Sequence, residues 1–278
     1  MTSIKQSKTK RIFFMTQKLM SNPGKTISLK YFVDNLGAAK STISEDLAQI
    51  KNYLEESGEG TLYTLAGKHG GIKFIPRQSS ETIANTLSEL ENRLTDQKRI
   101  LPGGYLYMSD IVSDPDLLKK VGGIFAGYFI NDQPDIVLTI ETKGILLAGV
   151  TADYLGIPLA IARNNSRVTE GAVISINYIS GSSNKIQTMS LPTRAIEKNS
   201  RVLLIDDFMK QGGTLKGLKN LTKEFESKVV GKGVLLERGQ AQDKLITDYL
   251  SFGIINKIDE EYKDIDLRMN LPEKFIRN

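Results

Sequence analysis

Residues 202–214 constrain this chain more than any other stretch. Val202-Leu203-Leu204-Ile205 is an apolar run that ends in two adjacent carboxylates, Asp206 and Asp207. Phe208-Met209-Lys210-Gln211 follows, then Gly212-Gly213-Thr214, and then a helical stripe of Leu215, Leu218, Leu221 and Phe225. The pattern predicts a buried strand, a loop at its carboxyl end and a helix amino terminus, the place where an open α/β sheet binds its ligand. Backbone N–H groups of a Gly-rich loop entering a helix can hold a phosphate. The glycines allow close approach, and Thr214 adds a hydroxyl. Paired carboxylates accept hydrogen bonds only from a ligand that offers donors, such as the two hydroxyls of a ribose. The segment therefore reads as a sugar-phosphate site. The plainer alternative, acids that only cap a turn, accounts less well for acids, glycines and Thr at these offsets.

Composition narrows the rest. A chain of 278 residues that is 40% hydrophobic can build one large or two ordinary domains. The absence of cysteine excludes a disulfide framework and thiolate metal sites, and a single histidine, His69, excludes histidine metal clusters and His-dependent triads. No metal site is expected in the protein itself. No apolar run approaches the ~20 residues of a membrane span. The basic start, Met1 to Arg11, leads into no signal-peptide core, so a cytoplasmic protein with no membrane partner is expected. Charge is uneven. Residues 1–76 hold 11 basic against 6 acidic side chains, and the remainder is neutral with 26 of each sign. The first acid is Asp34, after seven basic residues. A localised basic excess suits a nucleic-acid partner, although charge alone would also fit a solvated face.

The first quarter has the matching pattern. Ile12, Met15, Leu19 and Met20 predict a helix stopped by Ser21-Asn22-Pro23-Gly24, and Leu29, Phe32, Val33 and Leu36 predict a second, ended by Gly37. Thr42 and Glu45 are spaced as a capping box, predicting a third helix with Ile43, Leu47, Ile50 and Leu54 buried. Two short strands, Thr61 to Ala66 and Ile72 to Ile75, flank a turn at residues 67–71. Three helices and a hairpin with a basic tip make a winged helix-turn-helix, whose third helix enters the DNA major groove. The expected DNA-facing residues are Lys10, Arg11, Lys40, Ser41, Thr42, Ser44, Lys68 and His69. A helical accessory domain that binds protein is the alternative.

The expected domains are a winged-helix domain at 1–76, a linking helix at 77–99 carrying Ile83, Leu87, Leu90 and Leu94, and an effector-binding domain at 100–278. In the last, Asp135 to Ile140, Glu141-Thr142-Lys143-Gly144, a helix, and the strand Leu159 to Ala162 predict a βαβ unit in a mostly parallel sheet. Its loop should share a sheet edge with Asp206 and Asp207. Residues 168–179 and 186–191 predict a long hairpin whose turn, 180–184, is rich in Ser and Gly and could serve as a flap.

The segment from Asp206 to Thr214 closely resembles the signature of phosphoribosyltransferases, which bind 5-phosphoribosyl-1-pyrophosphate (PRPP). The chain as a whole resembles the purine operon repressors of Gram-positive bacteria, which join a winged helix to a phosphoribosyltransferase-type domain. The matching pieces are Lys40 to Leu47, the glycines of the 67–71 turn, Ile100 to Tyr105, Thr142-Lys143-Gly144, Val168 to Gly171, Ser175 to Tyr178, Ser180 to Ser183 and the PRPP motif. The resemblance implies an α+β winged helix followed by an α/β domain that senses PRPP without turning it over. It also implies a cytoplasmic homodimer bound to double-stranded DNA upstream of purine genes. The implied effector site is Tyr105, Thr142, Lys143, Gly144, Asp206, Asp207, Phe208, Met209, Lys210, Gln211, Gly212, Gly213 and Thr214, with Mg2+ arriving on PRPP and a guanine nucleotide polyphosphate as a possible competitor. Two positions depart from the family pattern: Gln211, whose bulk could crowd the phosphate, and Glu141, whose charge could oppose pyrophosphate. A working purine phosphoribosyltransferase and an activator of purine genes are the competing functions.

Overall fold

The computed structural model describes residues 6–67, 70–164, 171–179, 185–239 and 244–270. Lys68, His69, the motif residues Val168 to Glu170 and the turn 180–184 lie outside them. The chain divides into two compact units, Met1–Ser79 with Asp153–Gly156, and Ser80–Ala152 with Ile157–Asn278.

The first unit contains α1 (Lys8–Met20), β1 (Thr26–Ile27), α2 (Leu29–Leu36), α3 (Lys40–Glu56), β2 (Gly60–Leu65) and β3 (Gly71–Pro76). Ser28 caps α2 by accepting from the Tyr31 N–H at 3.2 Å, and Gly37 closes the helix in the left-handed region at φ 60°. Met15, Leu19, Phe32, Leu36, Ile43, Leu47, Ile50 and Leu54 form the core with Leu62, Ile72 and Phe74 of the sheet. Each large aliphatic side chain buried this way contributes roughly 1.5–3 kcal/mol. The three-stranded antiparallel sheet has the order β1-β3-β2, and its short first strand has no counterpart in the sequence pattern. One local expectation fails: the Thr42–Glu45 capping box does not form. Only Ala38 and Ala39 join Gly37 to α3, and Ala39 is the N-cap, its carbonyl accepting from the Ile43 N–H at 3.0 Å. Helical hydrogen bonding has begun before Thr42 is reached.

The second unit opens with α4 (Ser80–Leu94), whose buried Ile83, Leu87, Leu90 and Leu94 pack it onto the helix Pro115–Phe129 and the strand Asp264–Met269 of the same unit. The linking helix is thus part of this unit's own layers. After the small hairpin of β4 (Ile100–Leu101) and β5 (Tyr105–Leu106) comes α5 (Pro115–Phe129). Asp114 caps α5 through the Asp116 and Leu117 N–H groups, and Pro115 opens its first turn. Then follow β6 (Ile136–Ile140), α6 (Gly144–Leu155), β7 (Leu159–Ala162), β8 (Val173–Ile179), β9 (Ile186–Pro192), β10 (Arg201–Met209), α7 (Gly213–Glu224), β11 (Lys228–Arg238), β12 (Leu250–Asp259) and β13 (Asp264–Met269).

The six-stranded sheet has the order β13-β12-β11-β10-β6-β7, all parallel except β13. On one face, Gly231 and Gly233 let Phe129 and Phe125 of α5 lie against the strands; a Cβ at Gly233 would stand 2.5 Å from Phe125. On the other, Val202 and Leu204 join Leu215, Leu218 and Leu221 of α7 and Tyr178 and Met189 of the β8–β9 hairpin in one core. From β6 the chain steps outward to β7, then returns to the other side of β6 as β10 and continues to β11 and β12. The strand order therefore reverses between β6 and β10, which opens a crevice beyond their carboxyl ends.

Candidate functional site

That crevice is a cavity of about 640 Å³. Of the residues expected at the effector site, Tyr105, Lys143, Asp206, Asp207, Phe208, Met209, Lys210, Gly212, Gly213 and Thr214 line it. They come from three places: the β4–β5 hairpin, the loop after β6, and the β10–α7 junction. Thr142, Gly144 and Gln211 do not line it. Thr142 is exposed beside Lys143, and the Glu141–Thr142 peptide is cis. Gly144 lies behind the wall, where a Cβ would stand 2.9 Å from Asp206 Oδ1 and 2.8 Å from Thr139 Oγ1. Glycine there is what lets the β6 loop press against the end of β10.

Gln211 is absent from the cavity wall, and its carbonyl accepts from the Leu245 N–H at 2.8 Å. The charge of Glu141 is also accounted for. Its carboxylate accepts from the Asn164 N–H at 2.8 Å and from Arg163 Nη1 at 3.2 Å.

Asp206 is 6% exposed, and burial holds its carboxyl well above the ordinary carboxylate range, with the adjacent Asp207 pushing the same way. Its Oδ1 accepts from the Asp207 N–H at 2.9 Å. No cation pairs with Asp206 among the described residues. Gly212 caps α7 in the left-handed region at φ 85°, which turns the chain so that the first N–H groups of the helix border the cavity. The arrangement offers two acids as acceptors, an N–H cradle, and the cations Lys143 and Lys210: complementarity to a polyhydroxylated anion.

The hairpin that carries Tyr105 is clamped. Arg99 makes paired bonds to Asp110, at 2.6 and 2.7 Å, and Arg99 Nη1 also donates to the Tyr107 carbonyl at 3.1 Å. The Arg99 hydrogen bond holds the Asp110 carboxyl below its ordinary range. Tyr105 itself is 70% exposed, a ring standing at the mouth of the cavity.

Arg238, Met108, Ile255 and Ile258 line the cavity without any motif to announce them. Arg238 ends β11, one residue beyond Glu237, whose parallel pairing with Met209 of β10 carries the strand end to the cavity. Its signal in the sequence is only that it ends an apolar strand following the Gly-Gly-Thr helix.

In the first unit, Lys10, Lys40, Ser41 and Ser44 are exposed, Thr42 is half-buried, and the Ser44 hydroxyl donates to the Lys40 carbonyl at 3.0 Å. Arg11 is a correction. It is buried, with Nε 2.7 Å from Asp46 Oδ2, so its charge holds α1 to α3 and is not available to a phosphate. Arg11, Met15 and Leu19 share one stripe of α1, a spacing that already marks the core side.

Residues 7–76 match the family model of the bacterial purine repressor N-terminal domain, and residues 108–266 match that of the phosphoribosyl transferase domain. A purine biosynthesis transcriptional repressor of Bacillus subtilis (strain 168) is 44% identical over 93% of this chain and 90% of its own length. A purine biosynthesis transcriptional activator of Lactococcus lactis (strain IL1403) is 38% identical over 94% of this chain and 97% of its own. Among solved structures, adenine phosphoribosyltransferase from Saccharomyces cerevisiae aligns with a TM-score of 0.53 and 19% identity, covering 60% of this chain and 98% of that one, which shows the fold. A head of winged-helix form, a phosphoribosyltransferase-type sheet with its cavity at the strand-order reversal, and named relatives that match over 90% and 97% of their own length lead to one conclusion: this chain belongs to the family of bacterial purine repressors.

Proposed function

We propose that the chain is a DNA-binding repressor of purine biosynthesis genes that gives up its operator when PRPP occupies the cavity. The observation that carries the effector half is Asp206, a buried carboxylate with no cationic partner among the described residues, set beside Asp207 and the Gly212-Gly213-Thr214 cradle. The ribose hydroxyls of PRPP would donate to the acids, its 5′-phosphate would take residues 209–214, and its pyrophosphate would lie toward Lys143. Mg2+ would arrive on the ligand, held by phosphate oxygens and water. A guanine nucleotide polyphosphate has the same chemistry, anions on a ribose with an aromatic ring for Tyr105 and Phe208, and would compete for the cavity.

The exposed Lys40, Ser41 and Ser44 at the start of α3 support the DNA half, with the half-buried Thr42 at the same helix start and the exposed Lys10 on α1. A homodimer would match a two-fold operator. Release follows from linkage: PRPP shifts the equilibrium only to the extent that it binds the DNA-free state better. The winged head is superfluous to phosphoribosyl transfer, which favours sensing over turnover.

The test combines two assays. PRPP should bind the wild-type chain, and Asp206→Ala with Asp207→Ala should abolish that binding while DNA binding persists. Release of pyrophosphate from PRPP and a purine base at ordinary enzyme rates, ~1 per second or faster, would instead assign an enzyme. Increased transcription on DNA binding would assign the activator role named for the Lactococcus lactis relative.

A further inference from the structure

The phosphate loop is braced from behind by the segment that follows β11. The Leu245 N–H donates to the Gln211 carbonyl at 2.8 Å. Ile246 is buried against Gly212, so closely that a Cβ on that glycine would lie 2.8 Å from Ile246 Cγ2. Three side chains hold this segment in place. Glu237, 5% exposed near the end of β11, accepts from the Lys244 ammonium and, at 2.6 Å, from the Tyr249 hydroxyl. Lys244 also donates to the Tyr249 hydroxyl at 2.8 Å, and its charge stands 5.5 Å from the centre of the Tyr249 ring. None of the three lines the cavity. The contacts run from Glu237 through Lys244 and Tyr249 to Leu245 and Ile246, and from these to Gln211 and Gly212.

We infer that Glu237, Lys244 and Tyr249 are positioning residues for the phosphate loop. The inference rests on the reading above, in which residues 209–214 take the 5′-phosphate and the Lys143 loop takes pyrophosphate. Linked hydrogen bonds restrict the groups that share them, so the network fixes the segment that the loop leans on. A binding site present but loosely held loses affinity without losing any contact residue. Lys244 is the cation facing Glu237 among the described residues; without it a buried carboxylate is left uncompensated and the segment loses its anchor. Glu237 also adjoins Arg238 of the cavity wall, so the cluster steadies that strand end as well.

The two ends of the ligand can be probed separately. Ribose 5-phosphate reports on the phosphate loop, and inorganic pyrophosphate on the Lys143 loop. Each is titrated by calorimetry into the full chain as wild type, Lys244→Met, Lys244→Arg and Tyr249→Phe. Lys244→Met should weaken ribose 5-phosphate about tenfold and leave pyrophosphate unchanged. Tyr249→Phe, which keeps the ion pair, should weaken ribose 5-phosphate by roughly threefold, and Lys244→Arg should restore wild-type affinity. If Lys244→Met does not fold, Tyr249→Phe carries the same selectivity test. Equal loss of both probes, or loss of neither, overturns the positioning role. Wild-type protein that binds neither probe overturns the ligand reading and this inference with it.

Discussion

Each unit of this protein buries an aspartate, and the two are handled in opposite ways. Asp46 in α3 is 2% exposed and meets Arg11 at 2.7 Å. Asp206 at the end of β10 is 6% exposed and meets a backbone N–H and a second carboxylate. Burying a charge is costly unless it is paired, so the first site is complete in itself and the second is not. The lesson is that burial alone does not mark function; burial without a protein partner does. Asp46 locks a helix that presents polar side chains, whereas Asp206 borders the cavity with no cation beside it among the described residues, as the proposed hydroxyl-bearing ligand requires.

The largest effect should come from breaking the complete pair. Arg11→Met leaves Asp46 buried and uncompensated, which should cost about 3–5 kcal/mol in chemical denaturation of the full chain. Arg11→Met with Asp46→Leu should recover most of that loss, because an apolar pair carries no desolvation penalty. If Arg11→Met alone is neutral, the pair does not hold α1 to α3.

Asp206 should respond in the opposite direction. Because its carboxyl is held up by burial and by Asp207, the folded state keeps a proton that the unfolded chain gives up. Its contribution is therefore intact below the ordinary carboxylate range and declines as pH rises toward the raised value. Asp206→Asn removes that decline and should raise the unfolding midpoint at neutral pH by a few degrees, while PRPP no longer raises it further. Thermal scans across pH would show the gap between wild type and variant widening upward from acid. A gap that widens toward acid would mean that Asp206 is paired after all.

These two carboxylates also show what the sequence discloses. The β10–α7 junction was legible because all its parts are adjacent in the chain: strand, acids, glycines and helix start. Arg11 departs from the expectation because charge alone does not separate a DNA-facing arginine from a buried one, whereas its stripe with Met15 and Leu19 does. The Asp114-Pro115 start of α5 was equally available as a local signal. Arg238, Ile255 and Ile258 were not available, since only the parallel pairing of β10 with β11, and of β11 with β12, carries them to the cavity. Long-range register is what a single sequence states least directly. For the same reason the Glu237–Lys244–Tyr249 brace has no motif.

The smallest expected effect concerns the exposed face of the first unit. Lys40→Ala should weaken DNA binding and make the dependence of log K on log salt shallower by about one unit, the signature of one lost phosphate contact. Arg11→Lys, by contrast, should leave that slope unchanged, because Arg11 faces Asp46. A slope altered by Arg11→Lys and not by Lys40→Ala would reverse the assignment of the DNA face.

In the proposed function, the unpaired carboxylate site and the basic head are linked through one effector. Fluorescence anisotropy of labelled DNA from upstream of the chain's own purine genes, titrated with the protein at increasing PRPP, tests it most directly. A coupling of ordinary size should weaken DNA binding about 5- to 150-fold in the wild type, and Asp206→Ala with Asp207→Ala should erase the shift. DNA affinity that stays constant through saturating PRPP in the wild type would contradict the account.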